Sequence, residues 1–409
     1  MRRLGHALLP LLPLLLVIVT LAGGPLRAQR AIDWSTKPVF LMTMGQGDEV
    51  FEKFGHNALV VWDDVMGQPL VYNWGMFDFA QPNFIGRFLT GDTKYWMAPA
   101  TLDGTLAQYR EVNRTVTMQQ LQLTSTQRQQ LVQRLATNAL EANRYYRYDY
   151  YRDNCSTRAR DALDAVTGGA LRRTMQAQPG QGSYRWHTRR LLAYSTPLYL
   201  GSELVLGVDA DAPLSGWDEA FLPAALSNAV MRIELPAAEG LPSRRLAAAP
   251  DTLFRADRRG EPPDVEPRVA MAAGLGVILG VVLLGLARMG TVGAAIGVGL
   301  WSLLSVITGT VLLLAWFATR HDFMANNPSA ALLNPAWLVG LVAAVMMLRG
   351  GVSHGVRSVL RWLLVIAVTG AAGAVLSGHA VSALEIAALV LPGHAAVVYA
   401  SDRYRRRVA

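Results

Sequence analysis

Five long apolar segments fill the last third of this 409-residue chain and restrict what it can fold into. Each segment is close to the ~20 residues that an α-helix needs to cross a lipid bilayer. The pattern predicts a bundle of five transmembrane helices over residues 269–400, followed by a basic tail at 401–409. The predicted spans are residues 269–287, 292–317, 331–348, 358–377 and 380–399.

The arginines beside these segments predict their orientation. Arg288 follows the first segment, two arginines lie between the third and fourth with a third in the first turn of the fourth, and four lie in the tail. Cytoplasmic connections are rich in Lys and Arg, so these parts are predicted in the cytoplasm. The 319–330 connection carries only Arg320 and is predicted on the outer side. Topology therefore explains much of the formal charge of +8, and no nucleic-acid partner is expected.

Residues 1–28 begin with Arg2 and Arg3, continue as an apolar run and end at a possible Leu-Arg-Ala cleavage site. This arrangement is typical of a Sec-type signal sequence, with an uncleaved N-terminal anchor as the alternative. Either outcome exports residues 29–255, which a Pro- and charge-rich linker at 256–268 joins to the first span. No cysteine stands directly after the possible cleavage site, so the chain is not itself predicted to be a lipoprotein.

The exported residues read as an α+β domain. Residues 39–44, 57–62 and 70–79 are rich in β-branched and aromatic residues, and the DDVMGQP turn predicts that the last two pair antiparallel. Thr124 and Gln127 offer a capping box for a helix reaching to about Asn143. Residues 172–190 look polar and turn-rich, and 201–223 look like a loop or lid.

Cys155 is the only cysteine, which excludes an intramolecular disulfide and a cysteine metal cluster. Asp153 and Asn154 are good N-cap types, and the following apolar residues recur at helical spacing: Ala159, Ala162, Leu163 and Val166. Cys155 is therefore expected in the first turn of a helix. The N–H groups and the helix dipole there favour a thiolate over a thiol.

His56 is the candidate base for this thiol, because it begins a predicted strand and is preceded by Gly55. An imidazole can take the thiol proton and return it to a leaving group. Asn73 on the neighbouring strand could orient the imidazole, with Asp78 as the alternative. An unpaired thiol outside the cytoplasm is exposed to oxidation, which favours a chemical role for the one cysteine kept there.

Three stretches carry a family resemblance: GDEVFEKFGHNALVVWD, VYNWGMFDFAQPNFIGRFLTGDTKYWM and NRYYRYDYYRDNCSTRARDAL. Over about residues 35–225 the chain resembles the periplasmic domain of the bacterial lipoprotein N-acyltransferases called Lnb. That domain is similar to permuted NlpC/P60 and papain-like thiol enzymes, in which the His precedes the Cys. The resemblance implies that Cys155 is the nucleophile and His56 the base.

The same resemblance implies a multi-pass protein of the inner membrane with its catalytic domain in the periplasm. It would move an acyl chain from a lipid ester to the N-terminal amine of a lipoprotein, so membrane lipids and lipoproteins are the expected partners. No metal and no cofactor are expected. Residues 201–223 and the 319–330 connection are candidates for a cover that excludes water.

Four further polar residues are candidates for substrate binding. Arg158 could face an anionic head group or pair with Asp161 on its own helix. His321, Asn326 and Asn327 could contact head groups or belong to an ordinary polar turn. Two other functions stay open: a periplasmic cysteine hydrolase with the same dyad, cleaving a peptide, an amide or a lipid ester, and a non-catalytic envelope-binding membrane protein with Cys155 merely buried.

Overall fold

The computed structural model describes residues 32–262 and 264–406, with the side chains of 378–382 left aside. The predicted signal sequence lies outside the described residues. Within them, a sheet-based domain is followed in sequence by five helices long and apolar enough to cross a membrane, which confirms the predicted α+β class with a helical membrane tail.

One seven-stranded antiparallel sheet organises the domain, in the order β11-β5-β1-β2-β3-β4-β6. Two small two-stranded sheets, β7–β8 and β9–β10, are formed by residues that lie between β6 and β11 in the sequence. The strands are β1 (Val39–Met44), β2 (His56–Asp63), β3 (Gln68–Met76), β4 (Tyr95–Thr101), β5 (Val116–Leu121), β6 (Tyr145–Tyr146), β7 (Pro179–Ser183), β8 (Pro213–Ser215), β9 (Glu234–Leu235), β10 (Arg244–Arg245) and β11 (Asp251–Phe254).

The predicted hairpin is the centre of this sheet. Strands β2 and β3 pair antiparallel, with Ala58 opposite Asn73. Strand β3 ends at Met76, earlier than expected, because its pairing with β4 shifts between Asn73 and Met76 and Gly75 has a φ of +84°. A side chain is strained in that conformation, so the glycine allows the strand to turn away at this point.

The domain helices are α1 (Phe84–Thr90), α2 (Leu102–Glu111), α3 (Ser125–Ala139), α4 (Cys155–Val166), α5 (Ala170–Gln176), α6 (Tyr184–Leu192), α7 (Thr196–Val205), α8 (Gly216–Glu219) and α9 (Pro223–Val230). The capping box of α3 is present as predicted, although the helix ends at Ala139. The sequence analysis did not predict α1, α2 or β4.

The expectation of a polar, turn-rich stretch at 172–190 fails in its second part, where Arg185 and Arg189 are buried in ion pairs. Arg185 Nε lies 2.6 Å from Asp211 Oδ1, and Arg189 holds the buried Glu203 carboxylate through two bonds of 3.0 and 3.1 Å. A buried charge is tolerated when it is paired and hydrogen-bonded in this way. The segment folds as the end of α5, strand β7 and helix α6.

The lid expected at 201–223 also takes another form. Leu206, Ala210, Leu214 and Phe221 from this segment are buried in one aromatic and aliphatic cluster with Tyr151 and Tyr184. The segment therefore forms part of the packed interior of the domain. It is not a free-standing loop.

Helix α4 packs across β2 and β3 with the apolar face that its spacing predicted. Ala159 and Leu163 are fully buried, and they share a core cluster with Leu59 and Trp74 of the two strands. Burying a side chain such as Leu163 contributes about 1.5–3 kcal/mol. This packing fixes the helix start, and therefore Cys155, at one end of the β2–β3 pair.

The five candidate spans agree with the predicted segments to within a few residues: Val269–Arg288, Thr291–Phe317, Ser329–Leu348, His354–Ser377 and Ala383–Arg403. They are built from helices α10 (Val269–Arg288), α11 (Thr291–Phe317), α12 (Ser329–Leu332), α13 (Leu338–Leu348), α14 (His354–Ala374) and α15 (Ala380–Arg403). Gly276 lets the first helix approach the fifth closely, since a Cβ there would lie 2.2 Å from the Ala388 carbonyl oxygen.

The connection between the second and third spans is docked on the sheet domain. Phe323 from this connection is 5% exposed, and its ring centroid lies 4.8 Å from that of Tyr151 and 4.9 Å from that of Tyr184. The Gly207 N–H donates to the Phe323 carbonyl oxygen at 2.7 Å. The spans and the domain are therefore joined by a packed aromatic contact as well as by the linker.

We predict that Phe323→Ala lowers the stability of the full chain by about 3–5 kcal/mol, because it leaves a cavity among buried rings. In detergent this should lower the thermal unfolding midpoint by about 6 °C or more. The matched control is Phe317→Ala, since Phe317 ends the second span and is 74% exposed. Equal shifts for the two variants would contradict the docking role of Phe323.

Candidate functional site

Asn154 fixes the start of the cysteine helix. Its Oδ1 accepts the Ser156 and Thr157 N–H groups, each at 2.9 Å, as predicted for an N-cap. Its Nδ2 donates to the carbonyl oxygens of Tyr150 and Phe221 at 2.9 and 3.0 Å. Because every polar group of this buried amide is used, Cys155 is held as the first residue of α4.

The thiol of Cys155 is 6% exposed and lies beside the backbone N–H groups of Asn57, Ser156 and Cys155 itself. These donors and the Arg114 charge lower the pKa of the thiol, but burial acts more strongly and raises its pKa above the ordinary value. The expectation that the helix start favours a thiolate is therefore wrong for the resting site. The group is a protonated thiol at neutral pH.

Asn57 and Ser156 connect the strand to the helix. Ser156 Oγ lies 2.8 Å from Asn57 Oδ1 and 2.7 Å from the Ala220 carbonyl oxygen. Asn57 Nδ2 donates to Thr43 Oγ1 on β1 at 2.8 Å. This buried chain of contacts sets the position of the thiol relative to strand β2.

His56 lies next to Asn73 at the start of the β2–β3 pair, with its Nε2 3.1 Å from Asn73 Oδ1. Asn73 Nδ2 donates to the Val71 carbonyl oxygen at 3.1 Å, which fixes the amide orientation. Since an amide oxygen only accepts, His56 Nε2 carries the proton and Nδ1 keeps its lone pair. Burial, and then the Arg114 charge, lower the pKa of His56 to about 4, so the imidazole is neutral.

The structure brings His56 and Asn73 together but does not bring His56 into hydrogen-bond contact with the thiol. Successive strand residues point in different directions, so the Asn57 side chain reaches Ser156 on α4 while the His56 side chain reaches Asn73 on β3. Among the described residues no hydrogen bond joins Cys155 Sγ to the imidazole. Asp78 lies elsewhere, exposed, and accepts the Ala80 N–H at 2.8 Å.

Arg114 is a site residue that the sequence analysis missed. It is 5% exposed, its Nη1 lies 2.8 Å from Glu52 Oε1, and its Nε donates to the Gly45 carbonyl oxygen at 3.0 Å. Its guanidinium carbon also lies 4.8 Å from the centre of the Tyr109 ring. The charge acts on both His56 and Cys155 and lowers the pKa of each. No local sequence pattern marks it, because its partner Glu52 is 62 residues away in sequence.

Tyr146 and Tyr148 form a second missed part of the site, around Gly75. A Cβ placed on Gly75 would lie 3.3 Å from the Tyr148 ring and 3.9 Å from both the Cys155 Cβ and the Tyr146 Oη. The Tyr146 hydroxyl is buried, and its O–H has no acceptor among the described residues. Burial raises the pKa of Tyr146, although the Gly75 N–H beside its oxygen acts in the opposite direction, so the group remains a proton donor.

Arg158 pairs with Asp153 and not with Asp161. Its Nε and Nη2 lie 2.5 and 2.7 Å from the two Asp153 carboxylate oxygens, and its guanidinium carbon is 3.9 Å from the centre of the Tyr146 ring. Asp161 pairs instead with Arg160 at 2.8 Å. A groove of about 990 Å³ between α3 and α4 is lined by Arg158, but Cys155 and His56 do not line it.

His321, Asn326 and Asn327 lie in the connection that docks on the domain. His321 Nε2 is 2.9 Å from the Phe88 carbonyl oxygen, and the Asn326 carbonyl oxygen accepts the Val208 N–H at 3.4 Å. Asn327 is buried, donates to the Leu204 carbonyl oxygen at 2.8 Å and accepts the Ser329 N–H. All three residues thus take part in the docking contact, Asn326 through its main chain alone, and their predicted contact with head groups stays a prediction.

Within the described residues, no group of three or more His, Cys, Asp or Glu side chains could hold a metal ion.

The residues of the candidate site all lie between positions 56 and 155 of the sequence: His56, Asn73, Arg114, Tyr146 and Cys155. The model of the Lnb N-terminal periplasmic domain family matches residues 26–194, which include all five. No curated protein and no solved structure matches the chain. Residues 26–194 therefore match the Lnb N-terminal periplasmic domain family, and the same polypeptide carries five candidate membrane-spanning helices.

Proposed function

We propose that the protein is a membrane-bound thiol acyltransferase that moves an acyl chain from a lipid ester, through a Cys155 thioester, to the N-terminal amine of a bacterial lipoprotein. The observation that supports this most is the placement of the sole cysteine. It begins a capped helix, among three backbone N–H groups, in an Lnb-type domain docked on five candidate spans. The domain would face the periplasm and the spans would lie in the inner membrane.

In the first half-reaction, Cys155 Sγ attacks the carbonyl carbon of the donor ester. His56 Nδ1 takes the thiol proton as the C–S bond forms, and gives it to the departing alcohol oxygen as the C–O bond breaks. The neutral imidazole is the form that can accept this proton, and its Nε2–H is directed to Asn73. For this step the thiol must turn from the Asn57 N–H towards the imidazole. Catalytic hydrogen bonds of this kind are often long in the free enzyme and tighten only when substrate binds.

In the second half-reaction, the lipoprotein amine attacks the thioester carbon. The amine loses a proton to His56 as the C–N bond forms, and the proton returns to sulfur as the C–S bond breaks. The products are an amide and the free thiol, so no oxidant or cofactor is needed. Water would give a fatty acid instead of an amide, and excluding water is therefore what separates the transferase from a hydrolase.

Two groups are suited to stabilise the negative oxygen of each tetrahedral intermediate. One is the Cys155 N–H at the start of α4, which the helix dipole strengthens as a donor. The other is the Tyr146 hydroxyl, which is buried with no acceptor for its proton and lies next to Gly75, close to Cys155. A buried donor left without an acceptor in the resting site costs stability, so an acceptor supplied by the substrate would bind there favourably.

We predict that Cys155→Ala abolishes acyl transfer and that His56→Gln lowers kcat by about 10²–10⁴-fold. The measurement is mass spectrometry of the N-terminus of one lipoprotein in a strain without other N-acyltransferases. His354→Gln is the control, because His354 is exposed at the start of the fourth span. Abundant wild-type protein with a free lipoprotein amine would refute the transferase, and released fatty acid would then identify a hydrolase.

We predict a pH dependence of Cys155 alkylation that reflects its raised pKa. A thiol whose pKa is above its ordinary value loses its proton only at high pH, so the iodoacetamide rate should rise about tenfold per pH unit from 7 to 9. The unfolded chain is the control and should level off at lower pH. A rate that is constant between about pH 5 and 8 would show a preformed thiolate and contradict the neutral pair.

We predict that Tyr146→Phe lowers kcat by about 10²–10³-fold, because it removes one oxyanion donor. The unfolding midpoint should change little, since the hydroxyl proton has no acceptor to lose. Tyr145→Phe is the matched control: Tyr145 lies in the same strand, and its exposed hydroxyl accepts from Arg144 at 3.0 Å. Unchanged kcat in Tyr146→Phe, measured on purified protein in detergent, would exclude this role.

A further inference from the structure

An exposed apolar face surrounds helix α1. Its members are large hydrophobic side chains on α1, at the end of β3 and in the segments beside them: Phe51, Met76, Phe79, Ile85, Phe88 and Leu89. The most exposed of them, Ile85, is 72% exposed. A contiguous exposed face of this kind on a folded domain generally marks a site that contacts another apolar surface.

A row of aromatic rings connects this apolar face to the candidate site. Tyr148, which borders the space at Gly75 beside Cys155, stacks on Tyr95 with ring centroids 4.6 Å apart. Tyr95 stacks on Phe77 at 5.1 Å, and Phe77 stacks on Phe84 of helix α1 at 5.9 Å. The rings therefore form a continuous apolar path from the exposed face to the thiol.

The other end of helix α1 is bound to the chain where the second candidate span ends. The Arg320 N–H donates to the Thr90 carbonyl oxygen at 2.8 Å, three residues after Phe317 closes the span. Gly91 permits this approach, because a Cβ there would lie 3.0 Å from the Arg320 carbonyl carbon. Helix α1 is thus held at the level of a span end, where the hydrocarbon of a bilayer would give way to its head groups.

The charged residues around the apolar face also fit a position at the boundary between hydrocarbon and head groups. Arg87, Arg147 and Arg320 lie beside it, and the nearby carboxylate of Asp92 is paired with Arg320 at 3.2 Å and with Arg87 at 3.8 Å. Arg147 Nη1 donates to the Arg320 carbonyl oxygen at 3.1 Å. Exposed apolar side chains bordered by arginines are typical of a surface that lies in a membrane interface.

We propose that the apolar face lies in the outer surface of the bilayer that the five helices cross, and that it binds one fatty acyl chain of a membrane lipid, which reaches Cys155 along the aromatic row. This site rests on the proposed function for its chemistry, since it supplies the acyl chain to be transferred. Its position in the membrane does not depend on catalysis and can be tested separately.

The position is tested with the full chain in vesicles of phosphatidylethanolamine and phosphatidylglycerol. Cys155→Ser removes the only cysteine, so Ile85→Cys can then carry a single fluorophore. We expect a nitroxide on the lipid acyl chains to quench this label, and aqueous iodide to leave it bright. The control is Val65→Cys, 95% exposed in the β2–β3 turn, which should respond to iodide alone.

A label at position 85 that behaves like the label at 65 would overturn the proposal. So would a label shielded from both quenchers, because that result would show the face covered by protein, such as a second copy of the chain.

The acyl path is tested in the otherwise unchanged protein. Leu89→Glu should lower transfer from a long-chain lipid donor by about tenfold or more, because an acidic side chain is costly in hydrocarbon. Transfer from a water-soluble short-chain thioester should be unchanged, and Val65→Glu should affect neither donor. Equal loss with both donors would reject the path. Inactivity of the wild-type protein with every donor would instead reject the proposed function and leave the quenching result intact.

Discussion

The contact between Asn57 and Ser156 is the interaction on which the rest of the site depends. Asn57 is fully buried in strand β2, and its amide bonds to Thr43 on β1 and to Ser156 on the cysteine helix. A buried amide must be satisfied, so the helix start can take only the position that provides its partner. The backbone N–H of the same residue lies at the thiol. One residue therefore fixes the helix and contacts the thiol.

A single buried cation gives this site its electrostatic character. Arg114 is held by Glu52 and lowers the pKa of both the imidazole and the thiol. For the imidazole this effect adds to burial, whereas for the thiol it opposes burial, which prevails. The resting pair is consequently neutral on both sides. In the proposed reaction such a site would generate its thiolate by proton transfer, without storing a charged pair in a poorly solvated interior.

Local patterns predicted the parts of this protein that depend on neighbours in sequence. The Asn154 cap, the apolar face of α4 and the β2–β3 hairpin follow from residues a few positions apart. The membrane helices follow from length and apolar composition. Local reasoning failed where a property depends on burial: the N-terminal position of Cys155 indicated a thiolate, but the low polarity of its surroundings decides its protonation.

Long-range pairs were equally beyond local reasoning. Arg114 and Glu52 are 62 residues apart, and Gly75 meets Tyr146 only because β3 and β6 both lie against β4 in the sheet. The ion pairs of Arg189 and Glu203 turned an apparently solvated segment into a packed one. Each of these contacts depends on which helices and strands become neighbours in the fold. Local patterns in a single sequence do not predict those neighbours.

The aromatic contact of Phe323 has a consequence for the order in which the chain matures. Tyr151 and Tyr184 are synthesised well before Phe323, which follows them only after the first two candidate spans. Domains generally begin to fold during synthesis, from the N-terminus onwards. The sheet domain can therefore assemble early, but its aromatic cluster stays open until the two helices are made and their connection reaches it. Completion of the aromatic cluster thus requires that the first two candidate spans have been made and that their connection has reached the domain.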